Sequence, residues 1–260
     1  MPSEAEKRAF LVREQANYYI DSRRYANELH EITFLAGVGP TASGKSTLIR
    51  ETLNLDPEIH QYLSSTTRPR TPRDGDDYET GDEGVTLDDF YEAVKEHSML
   101  NYFVHPNGHL YGTFLKGIKP PFTIGAIGAK TVPQLMAAGF HDFHSIYTLM
   151  DGDTYADRLG LERENGKYTI RPESRLESPD IRPRLQEGLA SLAFARVNLD
   201  YQWMTPMQLT NDPGSLQESA RQIVNLAYER SIPTITKRHS LMLIDEMTDV
   251  IRTASDTLEV

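Results

Sequence analysis

The chain has 260 residues, of which 38% are hydrophobic and 25% charged, and this length allows one substantial hydrophobic core. The formal net charge of −11 argues against binding to the phosphate backbone of a nucleic acid. The absence of cysteine excludes disulfides and thiolate metal sites. No apolar run approaches the roughly 20 residues that span a bilayer, and the N-terminus lacks the order of a signal peptide. We therefore expect a cytoplasmic protein with neither a nucleic-acid nor a membrane partner.

The first 55 residues contain three predicted elements. Residues 5–30 are charged and carry an imperfect apolar stripe, which predicts a helix ahead of the main domain. The sequence "EITFLAGVG", residues 31–39, is typical of a short buried strand, and "KSTLIRETLNL", residues 45–55, is typical of a helix. The segment that joins them is therefore a turn from a strand into a helix.

This turn reads "GPTASGKS" at residues 39–46 and fits the spacing G-x-x-x-x-G-K-[ST]. Gly39 and Gly44 let the backbone bend around an anion, so that amide groups and the following helix N-terminus point at phosphate oxygens. Lys45 is predicted to reach the β- and γ-phosphates, and Ser46 to ligate Mg²⁺. The sequence thus predicts a site for ATP with Mg²⁺, formed by Gly39, Ala42, Ser43, Gly44, Lys45, Ser46 and Thr47.

Residues 64–84 are polar and rich in proline and glycine, which predicts a long loop. Its first part supplies one hydroxyl, three guanidiniums and a phenol, from Ser64, Arg68, Arg70, Arg73 and Tyr78. A guanidinium can donate hydrogen bonds to two phosphate oxygens at once, so a second phosphate is the expected ligand. Two phosphate sites in one domain indicate transfer of a group from one substrate to another.

The remaining chain alternates strands and helices. Thr86 and Asp89 have the spacing of a capping box, which predicts a helix start. Strands are predicted at residues 99–104, 122–127, 145–150 and 207–210. This alternation favours an α/β fold with a mostly parallel sheet covered by helices. Residues 151–188 are expected to form an arginine-bearing lid, with Arg158, Arg163, Arg171, Arg175, Arg182 and Arg184.

The C-terminal segment has apolar residues at alternating spacings of three and four, as on one helix face. They are Ile244, Met247, Ile251, Ala254 and Leu258. This face is predicted to pack on its own domain. A homodimer through the C-terminal helix is the alternative.

Over roughly residues 31–230 the chain resembles the guanylate kinase family of P-loop kinases. The matching segments are "GPTASGKST", "SSTTRPRTPRDGDDY", "LYGT" at 110–113, "DRLGLER", "IRPRL" and "LTND" at 209–212. The resemblance implies a P-loop NTPase three-layer fold with an acceptor-binding part at 64–113 and the lid at 151–188. Residues 1–30 and 231–260 would then be N- and C-terminal helical extensions.

The resemblance also implies roles for individual residues. Ser64, Arg68, Tyr78 and Tyr111 would hold the acceptor phosphate, together with either Arg73 or Arg70, and Thr113 would contact the acceptor. Arg158, Arg163 and Arg184 would act with Lys45 on the transferring phosphoryl group, and Asn211 would lie near the donor base. The implied reaction moves the ATP γ-phosphoryl group to a small-molecule phosphomonoester, with GMP or dGMP as the first candidate.

Two departures from the family pattern concern acceptor recognition and metal support. Guanylate kinases read guanine with a glutamate ahead of the Tyr-Gly segment, where this chain has Asn101 or Tyr102. They also carry Asp-x-Asp on the following strand, where this chain has Thr123 and Gly125. The segment "HPNGHLYG" is similar to the ribose 1,5-bisphosphate phosphokinases, so a sugar phosphate is the alternative acceptor.

Two further alternatives have different functions. The missing acids are also compatible with a nucleotide-binding interaction module that has lost catalysis. The segment "GPTASGKS" resembles the tRNA dimethylallyltransferases as well, but the Asp-Ser pair of that family is replaced here by "YLSSTTRPR". The acidic net charge also disfavours a tRNA substrate.

Overall fold

The computed structural model describes residues 2–70, 78–81, 84–105, 108–164, 167–171, 181–228, 232 and 234–258. The helices in these residues are α1 (Glu4–Glu14), α2 (Ala26–Leu29), α3 (Lys45–Leu55), α4 (Leu87–Lys95), α5 (Val132–Met136), α6 (Gly152–Leu159), α7 (Ile181–Asn198), α8 (Pro213–Ala227) and α9 (Lys237–Leu258). The strands are β1 (Thr33–Val38), β2 (Ile59–Gln61), β3 (Ser64–Thr66), β4 (Tyr78–Glu79), β5 (Met99–Val104), β6 (Leu110–Phe114), β7 (Phe122–Ala126), β8 (Asp142–Leu149), β9 (Leu161–Glu164), β10 (Lys167–Ile170) and β11 (Met204–Gln208).

These elements form two compact units. The first unit comprises residues 1–34, 58–125 and 131–143, and the second comprises residues 35–57, 126–130 and 144–260. One sheet has the strand order β11-β8-β1-β7-β2, and its pairs β11–β8 and β2–β7 are parallel. The predicted α/β fold class with a mostly parallel sheet is therefore confirmed.

The first unit contains a second sheet, with the order β4-β3-β6-β5. Helices α1 and α4 pack on it, and the core they enclose includes Leu11, Phe90 and Tyr102. The predicted capping box opens α4, because Thr86 Oγ1 accepts from the amide of Asp89 at 3.2 Å and the Asp89 carboxylate accepts from the amide of Thr86 at 2.7 Å.

Three sequence-based expectations in this unit differ from the structure. The single helix predicted over 5–30 is divided, because α1 ends at Glu14 and the chain then turns to bury Tyr18 before α2 begins. The loop predicted over 64–84 contains β3 and β4. The strand at 99–104 pairs with β6 in the antiparallel direction and so lies outside the parallel sheet. Period-two apolarity identifies a strand but not its partner.

In the second unit, α3 packs against α8, and α7 packs against α9. Four residues of the predicted C-terminal pattern are buried there, namely Ile244, Met247, Ile251 and Ala254. An ion pair between Arg196 and Asp245 also joins α7 to α9. These four residues therefore pack on their own unit, while the side chain of Leu258 lies outside the described part.

Among the described residues, no helix is long and apolar enough to cross a membrane.

The apolar face that joins α4 to its sheet provides a stability test. Phe90 is fully buried and meets the Phe114 ring edge-on at 5.6 Å. We expect Phe90→Ala to lower the free energy of unfolding by about 3–5 kcal/mol, because it leaves a cavity in the core. The control is Val12→Ala on α1, where the side chain is 52% exposed and the expected change is within about 0.5 kcal/mol. Urea denaturation of both variants measures the difference, and equal midpoints would contradict this account of the core.

Candidate functional site

The predicted phosphate loop follows β1 and leads into α3 as expected. Gly44 is the N-cap of α3 and has a left-handed backbone, with φ of 87°. A Cβ atom there would lie 2.6 Å from Nη1 of Arg158, and one at Gly39 would overlap Thr148 Oγ1. Both positions therefore require glycine, and the loop has the tight curvature that an anion cradle needs.

Lys45 begins α3 and folds back under the loop. Its Nζ donates to the carbonyl oxygens of Gly39 at 2.7 Å and Pro40 at 2.6 Å. Burial lowers the pKa of Lys45 to about 8, and the nearby Glu187 carboxylate acts in the opposite direction. An anion in the loop would favour the charged ammonium and could replace the two carbonyl contacts.

Arg158 comes from α6 and lies over the start of α3, beside Gly44. Its guanidinium donates to the Asn211 side-chain oxygen at 3.4 Å and to the Thr210 carbonyl oxygen at 3.4 Å. Burial also lowers the pKa of Arg158. The structure therefore places Arg158, predicted separately from Lys45, beside the N-cap of α3 and in contact with Asn211.

Three side chains that the sequence analysis did not identify, those of Thr148, Tyr155 and Glu246, support the cradle. The buried hydroxyls of Ser43 and Thr148 lie 2.7 Å apart, and the Tyr155 phenol donates to the Thr41 carbonyl oxygen at 3.0 Å. At the N-terminus of α6, the amide of Gly152 donates to the Glu246 carboxylate of α9 at 2.9 Å. Helix α6 thus holds the loop through one residue and is itself capped from α9. No motif in the sequence marks these contacts.

Two further predicted arginines have other surroundings. Arg163 on β9 lies 3.4 Å from the Asp153 carboxylate and over the ring of Tyr168. Arg184 on α7 is exposed.

Ser46 and Thr47 are exposed on the first turn of α3, and Ala42 adopts a positive φ of 62° within the loop. The roles predicted for these residues stay predictions.

In the first unit, the sheet β4-β3-β6-β5 has two different faces. The side chains of Met99, Tyr102 and Leu110 belong to the apolar core under α1 and α4. Because side chains alternate along strands, the other face carries their neighbours. The cross-strand pairs Asn101–Thr113 and Phe103–Tyr111 and the pair Thr66–Tyr111 define that face. We call it the polar sheet face, formed by Ser64, Thr66, Asn101, Phe103, Tyr111 and Thr113.

Three of the predicted acceptor residues, Ser64, Tyr111 and Thr113, lie on the polar sheet face. The Ser64 hydroxyl donates to the Gly112 carbonyl oxygen at 3.2 Å, and the Tyr111 ring stacks on Phe103 with centroids 5.2 Å apart. Thr113 is fully buried, and its hydroxyl has no hydrogen-bond partner among the described residues.

The structure describes only some of the arginines predicted in the loop at residues 64–84. Arg68 donates to the Pro69 carbonyl oxygen at 3.1 Å, and Arg70 is exposed. Arg73 and the side chain of Tyr78 lie outside the described residues, so the choice between Arg70 and Arg73 stays open.

Further basic side chains lie near Arg68 in the structure. Burial lowers the pKa of His109, and Arg68, Arg8 and His105 act in the same direction. Arg8 of α1 donates to the Gly108 carbonyl oxygen at 2.6 Å, and the amide of His105 donates to the His109 carbonyl oxygen at 2.9 Å where β5 turns into β6. Like charges that disfavour one another in the free protein are stabilised by an anion. Arg8 is distant in sequence, so no local motif indicates it.

The two departures noted in the sequence have a structural explanation in this unit. A Cβ atom at Gly125 would overlap Tyr62, whose ring fills that space. The Thr123 hydroxyl donates to the Lys119 carbonyl oxygen at 2.7 Å and is committed to its own loop. Neither position offers a polar group in place of the Asp-x-Asp acids.

Tyr102 faces α1, where its phenol donates to the Leu11 carbonyl oxygen at 2.9 Å. Asn101 therefore lies on the polar sheet face.

The fold and the cradle together define an α/β protein with a P-loop nucleotide site. No protein-family model matches the chain. The guanylate kinase of Cutibacterium acnes is 38% identical over 84 residues, which are 32% of this chain and 40% of that protein. The guanylate kinase of Geobacter sulfurreducens is 27% identical over 112 residues, 40% of this chain and 54% of that protein. That of Zymomonas mobilis is 40% identical over 76 residues, 28% of this chain and 33% of that protein.

The chain thus spans between 33% and 54% of the length of these curated relatives. A crystal structure of the guanylate kinase from Anaplasma phagocytophilum has a TM-score of 0.47 and 16% identity, covering 76% of this chain and 84% of that chain. The sequence matches confirm the predicted resemblance: the chain is similar to the guanylate kinases among the P-loop kinases.

The lowered pKa of Lys45 predicts a pH dependence of ATP binding. The protonated ammonium is present below about pH 8 and is lost above it, so affinity for ATP should fall as pH rises. We expect the Kd to increase by up to roughly tenfold per unit between about pH 8 and about pH 9.5. Lys45→Arg is the control, since its guanidinium stays charged throughout. Calorimetry at constant Mg²⁺ measures both proteins, and the same pH profile in each would contradict the prediction.

The close approach at Gly44 predicts a second effect on ATP binding. Gly44→Ala forces a Cβ atom toward Arg158 and strains a left-handed residue, so we expect at least about a tenfold loss of ATP affinity. Gly84→Ala is the matched control, because Gly84 has a similar φ of 96° with open space around it. It should bind ATP normally and lose about 1 kcal/mol of stability. Equal ATP affinity in the two variants would show that Gly44 has no special role.

Proposed function

We propose that the chain is an ATP-dependent phosphotransferase of the guanylate kinase type. Its reaction transfers the ATP γ-phosphoryl group to a nucleoside monophosphate, with GMP or dGMP as the first candidate. The observation that carries the proposal is the curved loop before α3, which holds Lys45 at the Gly39 and Pro40 carbonyls and has Arg158 beside Gly44. The same chain carries the polar sheet face, with Ser64, Tyr111 and an unpartnered Thr113 hydroxyl.

The residues present fit ATP and Mg²⁺. The curved loop offers backbone amides, and Lys45 and Arg158 add positive charge for a triphosphate. The exposed Ser46 hydroxyl is available as a metal ligand. Among the described residues, no group of three acidic or histidine side chains could hold a metal unaided. Mg²⁺ bound through Ser46 would therefore depend on phosphate oxygens, as is usual for this ion, and would supply positive charge to them.

The proposed roles of the side chains are positioning and charge stabilisation. In the reaction, an oxygen of the acceptor phosphate forms a bond to the γ-phosphorus while the bond to the bridging oxygen breaks, and ADP leaves. Lys45 and Arg158 stabilise the negative charge on the phosphoryl oxygens, with Arg163 and Arg184 proposed to assist. Ser64, Arg68 and Tyr111 orient the acceptor phosphate, helped by Arg70 or Arg73 and by Tyr78.

Two other functions remain as alternatives, each favoured by a specific observation. Asn101 on the polar sheet face in place of an acid favours a sugar phosphate acceptor, as in ribose 1,5-bisphosphate phosphokinases. Tyr62 in the space beside Gly125 leaves no room for the Asp-x-Asp acids and favours a module that binds nucleotide without turnover. The cradle disfavours the module, because it keeps both Lys45 and, beside Gly44, Arg158.

Location and assembly form part of the proposal. A small-molecule acceptor and a cytoplasmic location are consistent with the acidic charge of the chain. A homodimer through the C-terminal helix stays a prediction. Because Ile244, Met247 and Ile251 are buried within their unit, a second chain would have to use the outer face of α9, where Met242 is 46% exposed.

The proposed function is tested by measuring ADP production from ATP with a panel of acceptors. The panel contains GMP, dGMP, the other nucleoside monophosphates and ribose 1,5-bisphosphate. We expect one acceptor to support turnover and Lys45→Ala to reduce it by at least about a hundredfold, because the charge on the phosphates is no longer stabilised. Lys95→Ala, which removes an exposed ammonium on α4, is the control and should retain full activity.

Two results would contradict the proposed kinase activity. Full activity of Lys45→Ala would show that the cradle does not act in transfer. Absence of ADP with every acceptor, while calorimetry still shows ATP binding, would instead favour the non-catalytic module.

A further inference from the structure

We infer that Glu187 of α7 supplies the carboxylate that supports Mg²⁺ beside the phosphate loop, in place of the acids that β7 lacks. Glu187 is then a positioning residue, whose carboxylate accepts hydrogen bonds from water molecules that the ion retains. This inference rests on the proposed function, because it concerns the ion that accompanies ATP at the same loop. Glu187 lies just beyond the segment "IRPRL", and the resemblance assigns it no role.

The lack of an acid on β7 is the first support. The strand reads Phe-Thr-Ile-Gly-Ala, and the space beside its Gly125 is filled by Tyr62. Mg²⁺ is usually held by one or two carboxylates together with phosphate oxygens. The phosphate loop itself offers the hydroxyl of Ser46 but no carboxylate. A carboxylate for the ion would therefore come from another element.

The position of Glu187 at the end of β7 is the second support. The carboxyl ends of β1 and β7 lie side by side, because the Ile127 amide donates to the Gly37 carbonyl oxygen at 2.9 Å. Gly128 follows directly, and a Cβ atom there would lie 3.6 Å from Oε1 of Glu187. Ligands of open α/β sheets bind at the carboxyl ends of strands. Helix α7 thus places an acid at the edge where the missing acids of β7 would act.

The approach of α7 to the phosphate loop is the third support. A Cβ atom at Gly188 would lie 3.3 Å from the Cβ atom of Pro40, so α7 passes the loop at the residue next to Glu187. The Glu187 carboxylate also acts electrostatically on the ammonium of Lys45, which directly precedes Ser46. One carboxylate is therefore near both the end of β7 and the start of α3.

The exposure of these groups suits a hydrated ion. Glu187 and Ser46 are both exposed, and Mg²⁺ gives up its water molecules reluctantly. A carboxylate that bonds to those water molecules needs no direct contact with the ion. Arg184, which is proposed to assist the transfer, lies three residues before Glu187 and so on the same face of α7.

The charge of Glu187 has opposite effects with and without the ion. Without a metal ion, a carboxylate near the loop repels a triphosphate, because both are negative. With the ion present, the same carboxylate stabilises the complex of metal and nucleotide. A residue that only stabilised the fold would affect binding equally in both conditions.

The test measures binding of a non-hydrolysable ATP analogue to the full chain by calorimetry, once with Mg²⁺ and once with EDTA. We define the Mg²⁺ factor as the Kd in EDTA divided by the Kd in Mg²⁺. Glu187→Gln keeps the size of the side chain and removes its charge. We expect the Mg²⁺ factor to fall at least about tenfold, through weaker binding with Mg²⁺ and unchanged or tighter binding with EDTA. Because the side chain is exposed, the melting temperature should change little.

Glu218→Gln on α8 is the matched control. It makes the same chemical change at an exposed carboxylate that lies 3.6 Å from Arg221 of its own helix, and it should keep the parental Mg²⁺ factor. A second readout is the Mg²⁺ dependence of ADP production with the best acceptor. Glu187→Gln should need about tenfold more Mg²⁺ for half-maximal activity and regain the parental kcat at saturating Mg²⁺.

Three outcomes of the binding measurement would overturn the inference. They are a parental Mg²⁺ factor in Glu187→Gln, equal losses of affinity with Mg²⁺ and EDTA, and an equal fall of the factor in Glu218→Gln. A parent that binds the analogue no more tightly with Mg²⁺ than with EDTA would also reject it. Binding requires no transfer, so a chain that forms no ADP, yet whose Mg²⁺ factor depends on Glu187, would contradict the proposed kinase and leave this inference standing.

Discussion

The phosphate loop depends on one constraint, the absence of side chains at Gly39 and Gly44. Because no Cβ atom fits there, Thr148 and Arg158 can approach the loop closely, and the loop can curve around an anion. The buried pair of Ser43 and Thr148 then fixes the loop to β8, and Tyr155 fixes it to α6. Lys45 becomes enclosed as a consequence. Its lowered pKa is thus a property of the loop geometry rather than of any neighbouring cation.

The second sheet follows from a different rule, the alternation of side chains along short strands. One face of the sheet is apolar and packs under α1 and α4, which leaves the other face free to be polar. Tyr102 and Asn101 are adjacent in sequence but serve these two purposes separately. Arg68 and Arg8 lie near His109 in the same unit, so a chain with a net charge of −11 still has positive charge where a phosphate is expected.

The sequence analysis correctly predicted the elements that depend on residues close together in the chain. The phosphate loop is a short motif between a strand and a helix, and the capping box of Thr86 and Asp89 is closed within one helical turn, so both were identified correctly. The polar sheet face could be anticipated only as a list of residues, since β3 and β5 pair with β6 in a register that depends on three separate segments. The division of the N-terminal helix was missed because the burial of Tyr18 depends on a strand about 80 positions away.

Contacts between distant segments account for what sequence reasoning did not find. Arg8 reaches the hairpin at Gly108, and Tyr62 fills the space beside Gly125, and neither pairing has a sequence signature. The choice between Asn101 and Tyr102 was open for the same reason. Only the tertiary packing of α1 against the sheet assigns Tyr102 to the core.

The cap that α9 places on α6 affects how the protein can be divided. Glu246 holds the first amide of the helix that carries Tyr155 and Arg158, and Gly188 of α7 lies tightly between Pro40 of the loop and Ile251 of α9. Helix α9 thus supports α6 and α7, the two helices that contact the phosphate loop. A shortened chain that ends near residue 230 would retain every residue of the phosphate motif and still lack the support that gives the motif its shape.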